Sequence, residues 1–447
     1  MPKGGKKGKA KGFNGTHLQI KRGTEVLSGC NSVIGSDDCD STDVASLHSI
    51  TSSRIDCDVD DINCNEDDCN TDDGFVDDFE EKLLEAFDGT TNKSLKSRCN
   101  ALQMIKNAFT TRFMFDFIVE RKLTITDILE RSLKRGKGEE QGVAAILSTV
   151  VCITLGPGME TDSIFKEIEN HLLVAMLDPS ALPSNRSKCS AALGLCCFIA
   201  GIGAESIDSI MDALHSVFSA SFYKGNGVPP VHNPEITALH SSALLAWTLL
   251  LTIQSASLVL RLAEKHMKRV IELLDSPDVD LRIAAGEAIA VLHEISRECD
   301  EDFEFDKMEI LCDKLRDLAT DSQKFRAKKE RRIQRSSFRD ILRAVEDREA
   351  PNMMIKFGRE RLMINSWSRK RQYEAFCQVL GSGMNLHLTE NELLRDIFEL
   401  GPPIDYSNNI AHKTSKFERH MGNIAASKAR TKSRNKLRDK RADVIIS

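Results

Sequence analysis

The chain has 447 residues, of which 41% are hydrophobic and 29% are charged. Aromatic residues make up only 6%, which disfavours β-sandwiches and propellers because these folds need bulky strand residues and frequent turns. The longest apolar runs, near residues 190–204 and 243–253, are too short to cross a bilayer. We therefore expect a mostly helical protein without membrane spans.

The amino terminus is basic, and no apolar stretch follows it to form a secretory signal. The 13 cysteines are then expected to be reduced thiols in a cytoplasmic and nuclear protein. Cys57, Cys64 and Cys69 lack the spacing and the partner histidine of zinc modules. We expect no metal and no cofactor.

Charge is segregated along the chain, although the formal net charge is only −6. Residues 1–29 carry seven basic side chains against one acid, for a net charge of +6. Residues 30–81 carry 17 acids against Arg54, a net charge of −16, and residues 411–447 carry 11 basic side chains against three acids, a net charge of +8. Residues 30–78 of this stretch are poor in large apolar residues and are predicted to be disordered.

A pattern of small residues followed by aliphatic residues recurs through the middle of the chain. The alanines that mark it are 44, 47, 51 and 45 residues apart, and they are Ala101, Ala145, Ala192, Ala243 and Ala288. This period is close to the roughly 40 to 47 residues of HEAT and armadillo units. We predict an all-α fold, a HEAT/armadillo-like α-solenoid, with a single irregular helical bundle as the alternative.

Five parts are predicted along the chain. They are a basic disordered tail (1–29), an acidic disordered segment (30–78), helical repeats (79–320), a helical region with a basic helix (321–405) and a basic tail helix (406–447). Near the end of the fourth part, Thr389 and Glu392 have the spacing of a capping box, and Gly401 with two prolines stops the element.

Enzyme motifs are missing from the sequence. It contains no phosphate-binding Gly-Lys-Ser/Thr loop and no Gly-x-Ser-x-Gly elbow. His293-Glu294 is followed by Arg297, where a zinc protease helix needs its second histidine. We expect a non-enzymatic protein with no catalytic residues and no small-molecule substrate.

The first candidate binding segment is a basic helix near residue 330. Seven cations oppose one acid in twelve residues, and apolar positions at helical spacing follow. This helix fits a solvated face docked on the solenoid or a set of phosphate contacts. Its cations are Lys324, Arg326, Lys328, Lys329, Arg331, Arg332 and Arg335.

The second candidate segment is the basic tail, in which seven cations occupy every second residue from 428 to 440. At about 100° per residue they spread around a helix and leave no apolar face, which suits an RNA-lined channel. A solvated tail, an import signal, DNA or an acidic protein surface fits a basic run equally well. The candidate residues are Lys413, Lys416, Arg419, Lys428, Arg430, Lys432, Arg434, Lys436, Arg438, Lys440 and Arg441.

Several strings resemble the interferon-related developmental regulator family, over roughly residues 78–447. In the tail they are KFERH at 416–420, KARTK at 428–432 and RDKRADV at 438–444. Before the tail they are FRDIL at 338–342, LGSG at 380–383, and NELLRDIF at 391–398 with GPP at 401–403. The tail strings are long enough to be specific.

The resemblance implies a HEAT/armadillo-like body without enzymatic activity and two kinds of role. The first is binding of translationally inactive cytosolic ribosomes, through rRNA and ribosomal proteins in the tRNA-site region, with the basic carboxyl-terminal helix in the mRNA path. Such binding represses translation. The alternative is nuclear transcriptional co-regulation, in which the protein is a scaffold for histone-deacetylase corepressors during differentiation.

Overall fold

The computed structural model describes residues 72–403, except 202, 226 and 321–326, together with Lys428. The predicted disordered segments up to residue 71, and the predicted tail helix other than Lys428, lie outside these residues. Among the described helices, none is long and apolar enough to span a membrane.

The helices follow one another along the chain with short connections. The first seven are α1 (Asp72–Gly89), α2 (Leu95–Thr111), α3 (Phe115–Glu120), α4 (Lys122–Arg135), α5 (Glu140–Leu155), α6 (Met159–Leu177) and α7 (Pro183–Ile199). The next six are α8 (Ala204–Phe218), α9 (Pro234–Leu251), α10 (Ala256–Glu272), α11 (Val279–Cys299), α12 (Met308–Thr320) and α13 (Lys328–Leu342). A π-helical turn, Arg343–Asp347, continues α13.

These helices form two layers. In layer A, helices α2, α5, α7, α9, α11 and α13 pack side by side in that order. In layer B, helices α1, α4, α6, α8, α10 and α12 each pack on the layer A helix that follows. This arrangement is an α-solenoid and confirms the predicted fold class.

Small residues form the seam of layer A. Each of the five marker alanines lies on a different layer A helix, from α2 to α11, and all are at most 5% exposed. A Cβ added to Gly194 on α7 would lie 2.7 Å from the Cβ of Ala246 on α9. The repeated small residues therefore allow neighbouring helices to approach closely, as the sequence pattern predicts.

Helix α1 begins at Asp72, inside the segment predicted to be disordered. Leu83, Ala86 and Phe87 are buried, and the Arg112 guanidinium lies 3.6 Å from the ring centroid of Phe79. These apolar residues recur at helical spacing and pack α1 on α2. The stripe lies within the predicted repeats, and only the first residues of α1, 72–78, fall in the segment predicted to be disordered.

A β-hairpin interrupts the region for which the sequence indicates only helices. Strand β1 (Met353–Phe357) pairs antiparallel with β2 (Glu360–Ile364) across a two-residue turn at Gly358 and Arg359. Gly358 has φ of 50°, a left-handed conformation that glycine adopts without steric cost.

The chain then runs back along layer A. Helix α14 (Trp367–Leu380) packs on α11, α9 and α5, and is followed by α15 (Met384–Glu390) and α16 (Glu392–Ile397). His387 Nε2 lies 3.3 Å from the carbonyl oxygen of Phe109 on α2, and Asn391 Nδ2 donates to the carbonyl of Ile153 on α5 at 2.8 Å. We call residues 367–403 the return segment, because they connect the last repeats to the first.

The cap of α16 differs from the predicted capping box. Asn391 is the N-cap, and its side chain accepts a hydrogen bond from the Leu394 backbone at 3.4 Å. Thr389 is still inside α15, where its hydroxyl donates to the carbonyl of Asn385 at 2.9 Å. The capping box at Thr389 is therefore wrong, because α15 continues through that residue.

Candidate nucleic-acid interface

The basic helix α13 docks on the solenoid through its apolar side. Phe338 and Ile341 are fully buried against α11, at the place where Gly286 leaves room for them. Arg282 on α11 donates to Gln334 Oε1 at 2.5 Å, and Gln334 Nε2 donates to the carbonyl of Leu318 on α12 at 3.3 Å. The apolar stripe is thus used for packing, and the opposite side of the helix faces solvent.

The seven predicted cations of this segment differ in how exposed they are, and not all of them lie in the described residues. Lys329 and Arg332 are exposed, whereas Arg331 and Arg335 are half-buried, and the Arg335 Nε donates to the carbonyl of Arg331 at 3.3 Å. Lys328 starts the helix, and Lys324 and Arg326 lie outside the described residues. The structure therefore brings at least two of the seven predicted cations to one solvent-facing side.

Two further arginines extend this side of the helix. Arg339 and Arg343 are exposed, and with Lys329 and Arg332 they follow a spacing of three, seven and four residues. Such spacing places all four on one helix face. The density of cations in the sequence falls after residue 335, although their helical spacing continues. We call these four residues the α13 stripe.

The tail begins at a rigid point on the body. Arg395 on α16 is only 2% exposed, and its guanidinium pairs with both carboxylate oxygens of Glu360, at 3.1 and 2.8 Å. The same guanidinium donates to the carbonyls of Gly401 at 2.7 Å and Pro402 at 3.0 Å. These bonds fix the last described residues before the tail. In the sequence, Arg395 stands out only as part of the family-like string at 391–398.

The tail residues themselves are almost all beyond the described part of the chain. Lys428 is helical and exposed. The other ten predicted tail cations, which lie between 413 and 441, are outside the described residues. The prediction that they bind RNA therefore stays a prediction.

The return segment is attached to layer A by charged as well as apolar contacts. Lys370 on α14 contacts Glu287 on α11 and Glu374, each at 2.6 Å. Burial alone would lower the pKa of the Lys370 ammonium, but the two carboxylates outweigh this effect and hold the pKa above its usual value. Phe376 packs edge-on against Phe198 of α7, with ring centroids 6.2 Å apart. The layer A face is thereby covered by the chain itself along α14.

Within the described ranges, no three histidine, cysteine, aspartate or glutamate side chains gather as potential metal ligands. Cys196 and Cys197 on α7 are fully buried, and burial raises the pKa of the Cys197 thiol. His387 is also buried, which lowers its pKa. The repeats, the α13 stripe and the fixed root of the tail together define a HEAT/armadillo-type α-solenoid with a cationic surface.

Comparison with known proteins gives the family. A family model described as "Interferon-related developmental regulator (IFRD)" matches residues 45–346, and one described as "Interferon-related protein conserved region" matches residues 391–442. The chain is 48% identical to interferon-related developmental regulator 1 of Sus scrofa and 47% identical to that of Homo sapiens, each over 373 residues that cover 83% of both chains. It is 45% identical to interferon-related developmental regulator 2 of Mus musculus over 368 residues, 82% of this chain and 83% of that one. The chain belongs to the interferon-related developmental regulator family, and the resemblance is confirmed.

Proposed function

We propose that this protein is a non-enzymatic ribosome-binding factor that occupies translationally inactive cytosolic ribosomes and represses translation. The basic tail lies in the mRNA path, and the solenoid fills the tRNA-site region. The observation that carries the proposal is the run of cations at every second residue from 428 to 440. A helix with charge on all sides is stable when polyanion surrounds it, because each phosphate contact releases counterions.

The described residues support this proposal in two ways. Arg395 anchors the chain at Gly401 and Pro402, so that the tail leaves the body from a fixed point. A fixed point lowers the entropy that the tail loses on binding. The α13 stripe adds exposed cations that suit contacts with rRNA phosphates. In this proposal the protein is mainly cytoplasmic when bound, and it also resides in the nucleus.

Co-sedimentation of the purified protein with vacant cytosolic ribosomes over a salt series tests the proposal. The variant replaces the seven alternating cations of the tail, from 428 to 440, by Gln. The matched control replaces seven other cations by Gln, namely Lys3, Lys6, Lys7, Lys9, Lys11, Lys21 and Arg22. We expect the tail variant to lose binding and to show a flatter salt dependence, while the control retains both. Equal binding of the two variants would reject the proposal.

A second candidate function is the nuclear scaffold for histone-deacetylase corepressors. An apolar patch at the amino-terminal end of the solenoid favours it. Leu123 is 82% exposed and Met159 is 87% exposed, and an ion pair between Lys122 and Glu160 holds their helices together. Phe115 on α3 is 40% exposed. Exposed apolar patches of this kind are typical of protein interfaces.

Capture of corepressor subunits from nuclear extract tests the scaffold function. Leu123→Ser combined with Met159→Ser should lower capture several-fold. Ile310→Ser, which removes a side chain that is 60% exposed on α12, is the control. If both variants capture the same amount as the unmodified protein, the patch is not the corepressor surface.

A further inference from the structure

The two faces of the β-hairpin differ sharply. Phe357, Leu362 and Ile364 are at most 2% exposed and join the core of the body. On the other face, Met354 and Met363 stand directly opposite each other, and each is 50% exposed. Half of each methionine side chain is exposed to water at the centre of this face. A partner that covered it would bury this apolar surface and gain free energy.

Cations lie beside the two methionines. Lys356 and Arg361 form the next cross-strand pair on the same face, and both are exposed. Neither is ion-paired with a residue that the structure describes. Glu360, the acid nearest in sequence, is bound by Arg395 and does not neutralise them. The outer face is therefore apolar at its centre and positively charged towards the turn.

The hairpin is also linked to the point where the tail leaves the body, through a residue of its inner face, the cross-strand partner of Phe357. Glu360 begins β2, and a single side chain, that of Arg395, connects its carboxylate to the carbonyls of Gly401 and Pro402. Arg361 follows Glu360 in β2, so the hairpin cations lie one strand position from this link, on the opposite face of the sheet. They are separated in sequence from the nearest tail cation, Lys413, by more than fifty residues.

We propose that the outer face of the hairpin, formed by Met354, Lys356, Arg361 and Met363, is an RNA-binding surface at the mouth of the channel that the tail occupies. The proposal rests on the proposed function. The two cations contact phosphates, and the methionines pack on a base or ribose that is not stacked in a helix. Single-stranded or splayed RNA offers both groups together.

The placement of these groups favours RNA over an acidic peptide. A peptide that extended the sheet would bind the backbone along a strand edge and read alternate side chains. Here the cations and the methionines stand on the sheet face, where they suit a partner that lies across both strands. In the proposed function a polyanion is already expected near the hairpin, because Glu360 and Arg395 link the hairpin to the root of the tail.

Ribosome co-sedimentation and site-specific photocrosslinking test the surface in the full-length protein. The charge variant is Lys356→Gln with Arg361→Gln, and the apolar variant is Met354→Ser with Met363→Ser. The matched control is Lys265→Gln with Lys268→Gln, which removes two exposed cations from α10 in layer B. We expect the charge variant to bind vacant ribosomes about tenfold more weakly at physiological salt, with the salt slope reduced by about 1.5. The apolar variant should bind about threefold more weakly with an unchanged slope, since only contacts independent of salt are lost.

A photoreactive amino acid at position 363 identifies the partner directly. We expect crosslinks to rRNA. Crosslinks to ribosomal protein or to the chain's own acidic segment, or no crosslinks at all, would overturn the inference, as would a charge variant that binds like the α10 control. Thermal unfolding of each variant, with a midpoint like that of the unmodified protein, excludes misfolding as the cause of a loss. If the unmodified protein itself does not sediment with ribosomes, the proposed function fails. If it sediments and the hairpin variants match the control, only this inference fails.

Discussion

Glu294 on α11 accepts two hydrogen bonds from Ser368 on α14, one from its backbone nitrogen at 2.8 Å and one from its hydroxyl at 2.7 Å. A third bond comes from the backbone nitrogen of Trp367 at 2.7 Å. A glutamate of one helix thus caps the amino terminus of another that begins more than seventy residues later. In the sequence this residue belonged to an incomplete zinc-protease motif, and its actual role is to hold the return segment.

Glu294→Ala should loosen the return segment. The variant leaves the first N–H groups of α14 without their acceptor and removes a negative charge from the positive end of the helix. We expect a loss of about 2 kcal/mol in the free energy of unfolding. Urea unfolding measures the loss. The control is Glu298→Ala, an exposed residue of the same helix, which should change stability by less than about 0.5 kcal/mol. Equal effects of the two variants would contradict the capping role.

Gly194→Ala should strain the seam between α7 and α9. The new Cβ would lie 2.7 Å from the Cβ and 3.1 Å from the Cα of Ala246, and a backbone atom does not yield easily. We expect a destabilisation of about 1 to 3 kcal/mol, seen as a lower midpoint in urea. Gly203→Ala meets nothing within 4 Å and has a negative φ, so it serves as the control. If Gly194→Ala were as stable as the control, the seam would have more space than the structure shows.

His293 should make stability depend on pH. Its ring is fully buried beside Phe303, and neither nitrogen has a hydrogen-bond partner among the described residues. Burial, followed by the charge of Arg297, lowers its pKa from 6.5 to about 3. Because the unfolded chain then binds a proton more readily than the folded protein, stability is fully present above pH 6.5 and is lost as the pH falls towards 3.

His293→Leu removes this titration. Between pH 7 and pH 5 the unmodified protein should lose about 2 kcal/mol of unfolding free energy through this histidine, and the variant should not. The stability of the variant relative to the unmodified protein should therefore rise by about 2 kcal/mol over this range. Urea unfolding at the two pH values measures this difference. A stability difference between the two proteins that is the same at both pH values would show that His293 does not contribute to acid sensitivity.

Arg395→Lys tests whether the root of the tail needs to be fixed. Lysine keeps the charge, but it cannot bind both oxygens of Glu360 and the carbonyls of Gly401 and Pro402 together. We expect faster proteolysis after residue 403 and ribosome binding that is about tenfold weaker. The salt slope should be unchanged, because the number of cations is the same. Arg261→Lys on α10 is the control. Unchanged proteolysis and unchanged affinity would show that the tail acts independently of its root.

The repeats could be predicted from the sequence because their signal is local. Each marker alanine lies within a short string of small and aliphatic residues. All five, such as Ala192 and Ala288, are buried because that string faces the neighbouring helix of layer A. The family-like strings also identified the family correctly. The α13 stripe was predicted in part, since Lys329 and Arg332 belong to a dense basic run, whereas Arg343 does not.

The hairpin and the return segment were not predicted. Each strand has only five residues, and Met353 and Leu362 are as common in helices as in strands. The anchors of the return segment are distant in sequence, such as Lys370 with Glu287, so that no local pattern marks them. Contacts of this kind depend on which surfaces the folded repeats place side by side.

The backward course of the return segment also affects how the protein is made. A linear array of repeats folds piece by piece as the chain is synthesised, because each unit touches only its neighbours. Here His387 contacts Phe109, 278 residues earlier, so α2 gains this contact only after the repeats that follow it have been synthesised. Until then, the layer A face that α14 covers remains open on the nascent chain. The return segment therefore adds contacts between repeats that are distant in sequence, and a chain interrupted before residue 367 leaves exposed the layer A surface that α14 covers.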